Sequence, residues 1–154
     1  MIALRDIHCH LLPGLDDGPK DHREAVALAR TLVDQGIDTV VATPHQLGRY
    51  EFNHAELILG RLRQFNELLQ REDVHLRVVP GADVRVDERL VNLIREHKVL
   101  TLNNGGRYLL LEMPHETRIE ARGMINSLMQ LGIRPIISHP ERHRPAQQHP
   151  EMVG

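Results

Sequence analysis

Residues 3–45 read ALRDIHCHLLPGLDDGPKDHREAVALARTLVDQGIDTVVATPH, and this stretch decides the fold. It opens with a short apolar run, residues 3–7, that ends in His8-Cys9-His10. A loop carrying Asp16-Asp17-Gly18 follows. Asp21 and Glu24 then make a D-x-x-E pattern that resembles a capping box, a signal for a helix start. Ala25, Val26, Ala29, Leu32 and Val33 recur at helical spacing, and Gly36 stops the helix as glycine does just past a last turn. A β-branched run, residues 37–43, leads into Pro44-His45. Strand, helix, strand at this spacing is a βαβ unit, which requires parallel strands.

The alternation continues outward. Residues 76–80 run into Gly81-Ala82-Asp83, residues 108–111 into Glu112, and residues 134–138 into His139-Pro140-Glu141-Arg142. Between them lie helical patterns at 54–71 (Ile58, Leu62, Phe65, Leu69 as the apolar stripe), 87–97 (Leu90, Leu93, Ile94) and 119–131, the last ended by Gly132. Asn103-Asn104-Gly105-Gly106 marks a turn. The pattern predicts an α/β protein of one domain, with a parallel sheet or barrel. His149-Pro150-Glu151 reads as one more helix start, with proline at the first helical position. The chain stops about one turn later, so we expect a domain incomplete at its C-terminus.

Composition narrows the function. The 154 residues carry 19 Lys and Arg against 21 Asp and Glu, a formal charge of −2 without the basic footprint of a nucleic-acid binder. Aromatics are 3% with no Trp, which argues against a base-stacking surface. No basic-then-apolar leader and no apolar stretch of about 20 residues occurs, so a cytoplasmic location is expected. The single cysteine, Cys9, cannot form an internal disulfide. Eleven histidines are many, and several fall at strand ends.

In parallel α/β architectures the carboxyl ends of the strands share one face, and the active site sits there. Each of the five runs ends in a metal-ligand or catalytic residue type, which implies one shared polynuclear metal site. His8 and His10, two apart on a strand, point the same way. Taken alone, this pair is as readily two surface histidines. Asp16-Asp17-Gly18 alone reads as a turn; next to two histidines it reads as hard ligands for a divalent cation. Glu112, directly after an apolar run, should be partly buried, which is costly unless the carboxylate is paired or bound to metal. Arg142 offers a planar donor suited to phosphate. Cys9 alternates with its histidine neighbours and should face the packing side; with no C-x5-R signature, a thiol phosphatase is disfavoured. His75, His97, His115, His143 and His149 read as loop or surface residues.

D-I-H-C-H-L-L-P-G-L-D-D-G-P at 6–19, A-T-P-H at 42–45, L-L-E-M-P at 110–114 and S-H-P-E-R at 138–142 resemble the PHP (polymerase and histidinol phosphatase) superfamily. Within it the resemblance is to the bacterial protein-tyrosine phosphatases of capsular and exopolysaccharide gene clusters. It implies a distorted (β/α)7 barrel, of which about five βα units are expected here. It also implies metal-dependent phosphotyrosine hydrolysis, with manganese and up to three ions, on the tail of a tyrosine autokinase of polysaccharide synthesis and export. By resemblance the metal ligands are His8, His10, Asp17, His45, Asp83, Glu112 and His139, Asp16 being a weaker candidate than Asp17, and Arg142 contacts phosphate. Asp83 stands where the family usually has Glu, one methylene longer. The chain ends before the family's late Asp-x-His motif, which the resemblance makes the source of two further ligands, so the 154 residues alone are expected to be a poor phosphatase. Two rivals follow: a histidinol-phosphate or other small phosphomonoester phosphatase on the same scaffold, and a non-catalytic product that binds metal or the kinase tail.

Overall fold

A computed structural model describes residues 4–116 and 121–144. The strands are β1 (Leu4–Cys9), β2 (Ile37–Ala42), β3 (His45–Gln46), β4 (Arg77–Pro80), β5 (Asp83–Arg85), β6 (Tyr108–Glu112) and β7 (Arg134–Ser138). The helices are α1 (His22–Asp34), α2 (Ala55–Arg71), α3 (Leu90–Arg95) and α4 (Arg122–Gln130), with 3₁₀ turns at Leu102–Asn104 and Pro140–Arg142. Every strand pair is parallel. One sheet has the order β1-β2-β4, the other β3-β5-β6-β7.

The expected strands at 37–43 and 76–80 are each followed by a second short one. After β2 and β4 the chain leaves the first sheet for two residues, Thr43-Pro44 and Gly81-Ala82, and re-forms pairing in the second sheet as β3 and β5. His45 and Asp83 are therefore not loop residues beyond strand ends. Each opens a new strand, and the two are register partners. Pro44 has no N–H to give a ladder, while its carbonyl accepts from the Asp83 N–H at 3.1 Å. Gly81 is needed at the crossing, because a Cβ there would lie 2.6 Å from Val41 Cγ1.

The helices pack where their stripes predict. Asp21 caps α1 by accepting from the Glu24 N–H at 2.9 Å. The reciprocal half is displaced by one residue, since Glu24 accepts from the Lys20 N–H at 2.8 Å. Gly36 follows α1 with φ +85°, the left-handed conformation glycine adopts at low cost. The α2 stripe, Ile58, Leu62, Phe65 and Leu69, is buried against the core that Val40, Val78, Leu109 and Leu111 bring from the strands. α3 is shorter than the expected 87–97, because Asp87 turns back to take the Arg89 N–H and guanidinium. Expected residues 119 and 120 of the last helix, and the helix start at 149–151, lie outside the described residues.

Among the described residues, β1 and β7 pair on one side only. β1 has no fully buried residue, and Leu4 and Ile7 are 54% and 48% exposed. No described helix is long and apolar enough to cross a membrane.

Candidate metal and phosphate site

The carboxyl ends of β1, β6 and β7, the first residues of β3 and β5, and the first loop bring all seven ligand candidates together. Potential ligand atoms of His8, Asp83 and His139 lie within 4.8 Å of one another, as do those of His10, Asp17 and His45, and those of His45, Asp83 and Glu112. The imidazoles form a row, with ring centres 4.7 Å apart for His139 and His8, 5.3 Å for His8 and His10, and 4.5 Å for His10 and His45. His139 projects from a left-handed backbone, φ 46° and ψ 49°, between β7 and the 3₁₀ turn.

Asp83 is at the centre. Its Oδ2 lies 3.5 Å from His8 Nε2 and 3.5 Å from His45 Nδ1, and its Oδ1 accepts the Ser138 hydroxyl at 2.6 Å. The shorter side chain lies near the His45 ring because β5 pairs directly with β3. Burial alone would raise the Asp83 carboxyl. The nearby His8 ring, the Ser138 hydrogen bond and the charge on His8 and His45 outweigh it and hold the carboxyl below its ordinary value.

Asp16, the weaker candidate by sequence, has a fully buried side chain that works behind the site. Its Oδ2 sits 2.7 Å from His10 Nδ1 and accepts the His45 N–H at 2.9 Å, while Oδ1 accepts the Gly18 N–H at 3.0 Å. A carboxylate on Nδ1–H leaves Nε2 with the lone pair, the arrangement that orients metal-binding histidines. Nε2 of His10 faces Nε2 of His8 at 3.3 Å. Gly18 permits this tight loop, as a Cβ there would lie 2.4 Å from the His10 carbonyl oxygen. Asp17, two-thirds exposed, places Oδ1 3.6 Å from His45 Nε2 and 3.7 Å from His10 Nδ1.

Glu112 is buried, as its place after an apolar run implies, and it is paired. Its Oε1 lies 3.1 Å from the Arg85 guanidinium and 3.3 Å from His115 Nε2; its Oε2 is 3.6 Å from His45 Nδ1. Arg142 stands at the rim of a cavity of about 320 Å³, lined also by Asp17, His45, Arg49, Tyr50, Arg85 and Glu112. A larger hollow of about 480 Å³ lies at the opposite strand ends, around Asp38, His75 and Arg77, away from every ligand candidate.

The unpaired polar atoms of the cluster fit divalent ions. Asp83 Oδ2 and His45 Nδ1 are buried without a hydrogen-bond partner, and buried polar atoms left so are costly unless something else satisfies them. Nitrogen and carboxylate donors mixed in this way suit zinc, manganese or iron. His45 presents Nε2 to one group and Nδ1 to another, yet a neutral imidazole has one free lone pair, so the two groups compete for it.

Sequence reasoning missed several partners. Arg85 follows Asp83 by two in a strand and so shares its face, a signal that was present. Ser138 immediately precedes a ligand candidate. His115 is not a plain surface residue but pairs with Glu112 three positions earlier. His143 is buried, its Nδ1 hydrogen-bonded to the Pro114 carbonyl, because the turn after His139 folds it inward. Cys9 packs on the core as expected, and burial, with Asp6 and Asp16 adding to it, pushes its thiol up to about 11.

Imidazoles and carboxylates gathered on one face of parallel strands, beside a cavity lined by Arg49, Arg85 and Arg142, form groups that could hold metal ions. The family model described as capsular polysaccharide synthesis, CpsB/CapC, matches residues 4–154, and the chain belongs to that family. It is 35% identical over 150 residues to tyrosine-protein phosphatase YwqE of Bacillus subtilis, an alignment covering 96% of this chain and 58% of that protein. It is 29% identical over 150 residues to tyrosine-protein phosphatase CpsB of Streptococcus pneumoniae, covering 96% and 61%. The fold matches a chain from the crystal structures of YwqE and CpsB, described as metal-dependent tyrosine phosphatases, with a TM-score of 0.92 and 33% identity over 97% of this chain and 61% of that one. The chain thus spans about three-fifths of the length of these relatives.

Proposed function

We propose that this site hydrolyses phosphotyrosine with divalent metal ions, manganese among them, on the tail of a tyrosine autokinase of polysaccharide synthesis and export, in the cytoplasm. The observation that carries the reading is the set of adjoining ligand groups around Asp83 and His45, opening on a cavity lined by Arg49, Arg85 and Arg142. The seven candidates His8, His10, Asp17, His45, Asp83, Glu112 and His139 would hold the ions. On this reading the chain is one PHP-type phosphatase domain, and its strand positions are consecutive units of a distorted (β/α)7 barrel.

Bound ions would supply Lewis-acid stabilisation of the phosphoryl oxygens and an activated water. The protein's part is placement. Asp16 fixes the His10 ring, Ser138 fixes Asp83, and Arg85 with His115 holds Glu112. Arg142, half exposed at the cavity rim, offers its fork to the phosphoryl group. No side-chain nucleophile is required.

The test is phosphate release from a phosphotyrosine peptide by the 154-residue chain with added manganese, beside histidinol phosphate. Slow peptide hydrolysis that His10→Ala abolishes and Arg142→Ala weakens is the expected result. Preference for histidinol phosphate would move the assignment to the small-phosphomonoester rival. Ion binding without turnover on either substrate would favour the non-catalytic one.

A further inference from the structure

Residues 47–52 form a loop over the cavity whose construction exceeds what ion binding needs. Its base is closed by two buried amides. Gln46 donates to the Asn53 and Lys98 carbonyls and accepts the Leu100 N–H; Asn53 donates to the Leu15 and His45 carbonyls. The tip turns tightly, with Leu47 and Gly48 at φ 67° and 59° and the Tyr50 N–H on the Leu47 carbonyl. Glu51 ties the far side to Arg89 at 2.8 Å. Held this way, the Tyr50 ring stacks on His45, with centres 5.2 Å apart and planes at 14°. Phe52 meets its edge at 6.3 Å and is 59% exposed. Tyr50 lines the same cavity as Arg49, Arg85 and Arg142.

We infer that Tyr50, backed by His45 and edged by Phe52, is a specificity-determining wall that selects phosphate esters of planar aromatic alcohols over aliphatic ones. The inference rests on the phosphoester reading above and adds the residues that recognise the organic half of the substrate. An immobilised ring loses little freedom when a second ring packs on it, and aromatic pairs gain beyond their buried area. A cavity of about 320 Å³ is at the small end of ligand pockets, the size for one ring and its phosphoryl group. Cationic side chains beside the aromatic wall favour an ester that is anionic at one end and flat at the other.

The experiment uses non-hydrolysable probes. Phenylphosphonate, ethylphosphonate and inorganic phosphate are titrated calorimetrically into the full 154-residue chain with manganese present. Wild type and Tyr50→Phe should bind phenylphosphonate about tenfold more tightly than ethylphosphonate, the size of one aromatic contact. In Tyr50→Leu the ratio should fall to about twofold or less. Where Tyr50→Leu fails to fold, Phe52→Ala at its exposed position decides, with a lowered ratio expected. An unchanged ratio in the deciding variant, or equal affinities in wild type, overturns the aromatic wall and leaves the phosphoester reading standing. Failure of wild type to bind any of the three probes overturns that reading, and this inference with it.

Discussion

Asp16 accepts three hydrogen bonds and is not among the residues lining the cavity, so its effect is exerted through His10 and the β3 backbone. Asp16→Asn should keep the fold and lower divalent-ion affinity about 10- to 100-fold, the usual cost of losing an outer partner of a ligating histidine. Ion content after dialysis checks this, with His8→Ala combined with His10→Ala as the ion-free reference. The sign of the pH effect follows from the same contact. Burial lowers the proton affinity of His10, but the Asp16 hydrogen bond and the charges of Asp16, Asp17 and Asp83 outweigh it and raise the value. A proton thus competes with an ion at this ring, and the proton gains as pH falls. Ion content should therefore drop on going from about pH 8 to about pH 5, where imidazoles charge. At this scale most of the site was legible, because strand ends announce themselves as apolar runs stopping at His, Asp or Glu. Asp16 was not, since a buried carboxylate behind a ligand and an exposed one in a turn look alike in D-D-G.

The helices were read closely because stop signals are local. Asp21, Gly36 and Gly132 mark ends by their own conformations, and glycine at positive φ needs no tertiary contact to be recognised. β3 and β5 were not legible as strands. They span only two and three residues, too short for a period, and are specified by the pairing of His45 with Asp83 rather than by pattern. Two stability predictions belong here. Asp21→Ala should cost about 1 kcal/mol in urea denaturation, the value of one N-cap. Gly81→Ala should cost about 1–3 kcal/mol, because its Cβ must displace Val41 or bend the crossing between the sheets. The second change should also loosen ion binding, since it moves Asp83, two residues on.

Across the whole molecule, the candidate ligands come from the ends of β1, β6 and β7, from the first residues of β3 and β5, and from the first loop. Carboxylates and imidazoles converge on shared positions only in the folded chain, so ions should bind the native state more tightly than the unfolded one. Manganese should raise the melting temperature with its concentration, and EDTA should reverse the rise. Thermal melts of wild type and of the His8→Ala, His10→Ala double variant check this; an equal rise in both would show that the ions act elsewhere.

His45 also sets an arithmetic of occupancy. Only one of its nitrogens can donate a lone pair while the other keeps its hydrogen. Once Nε2 is committed beside His10 and Asp17, the position beside Asp83 and Glu112 loses its imidazole donor. The described residues should then saturate at two equivalents per chain, with a third entering weakly and only by displacing the hydrogen on Nδ1. A stoichiometric titration would show this as a sharp break followed by a shallow, proton-releasing tail.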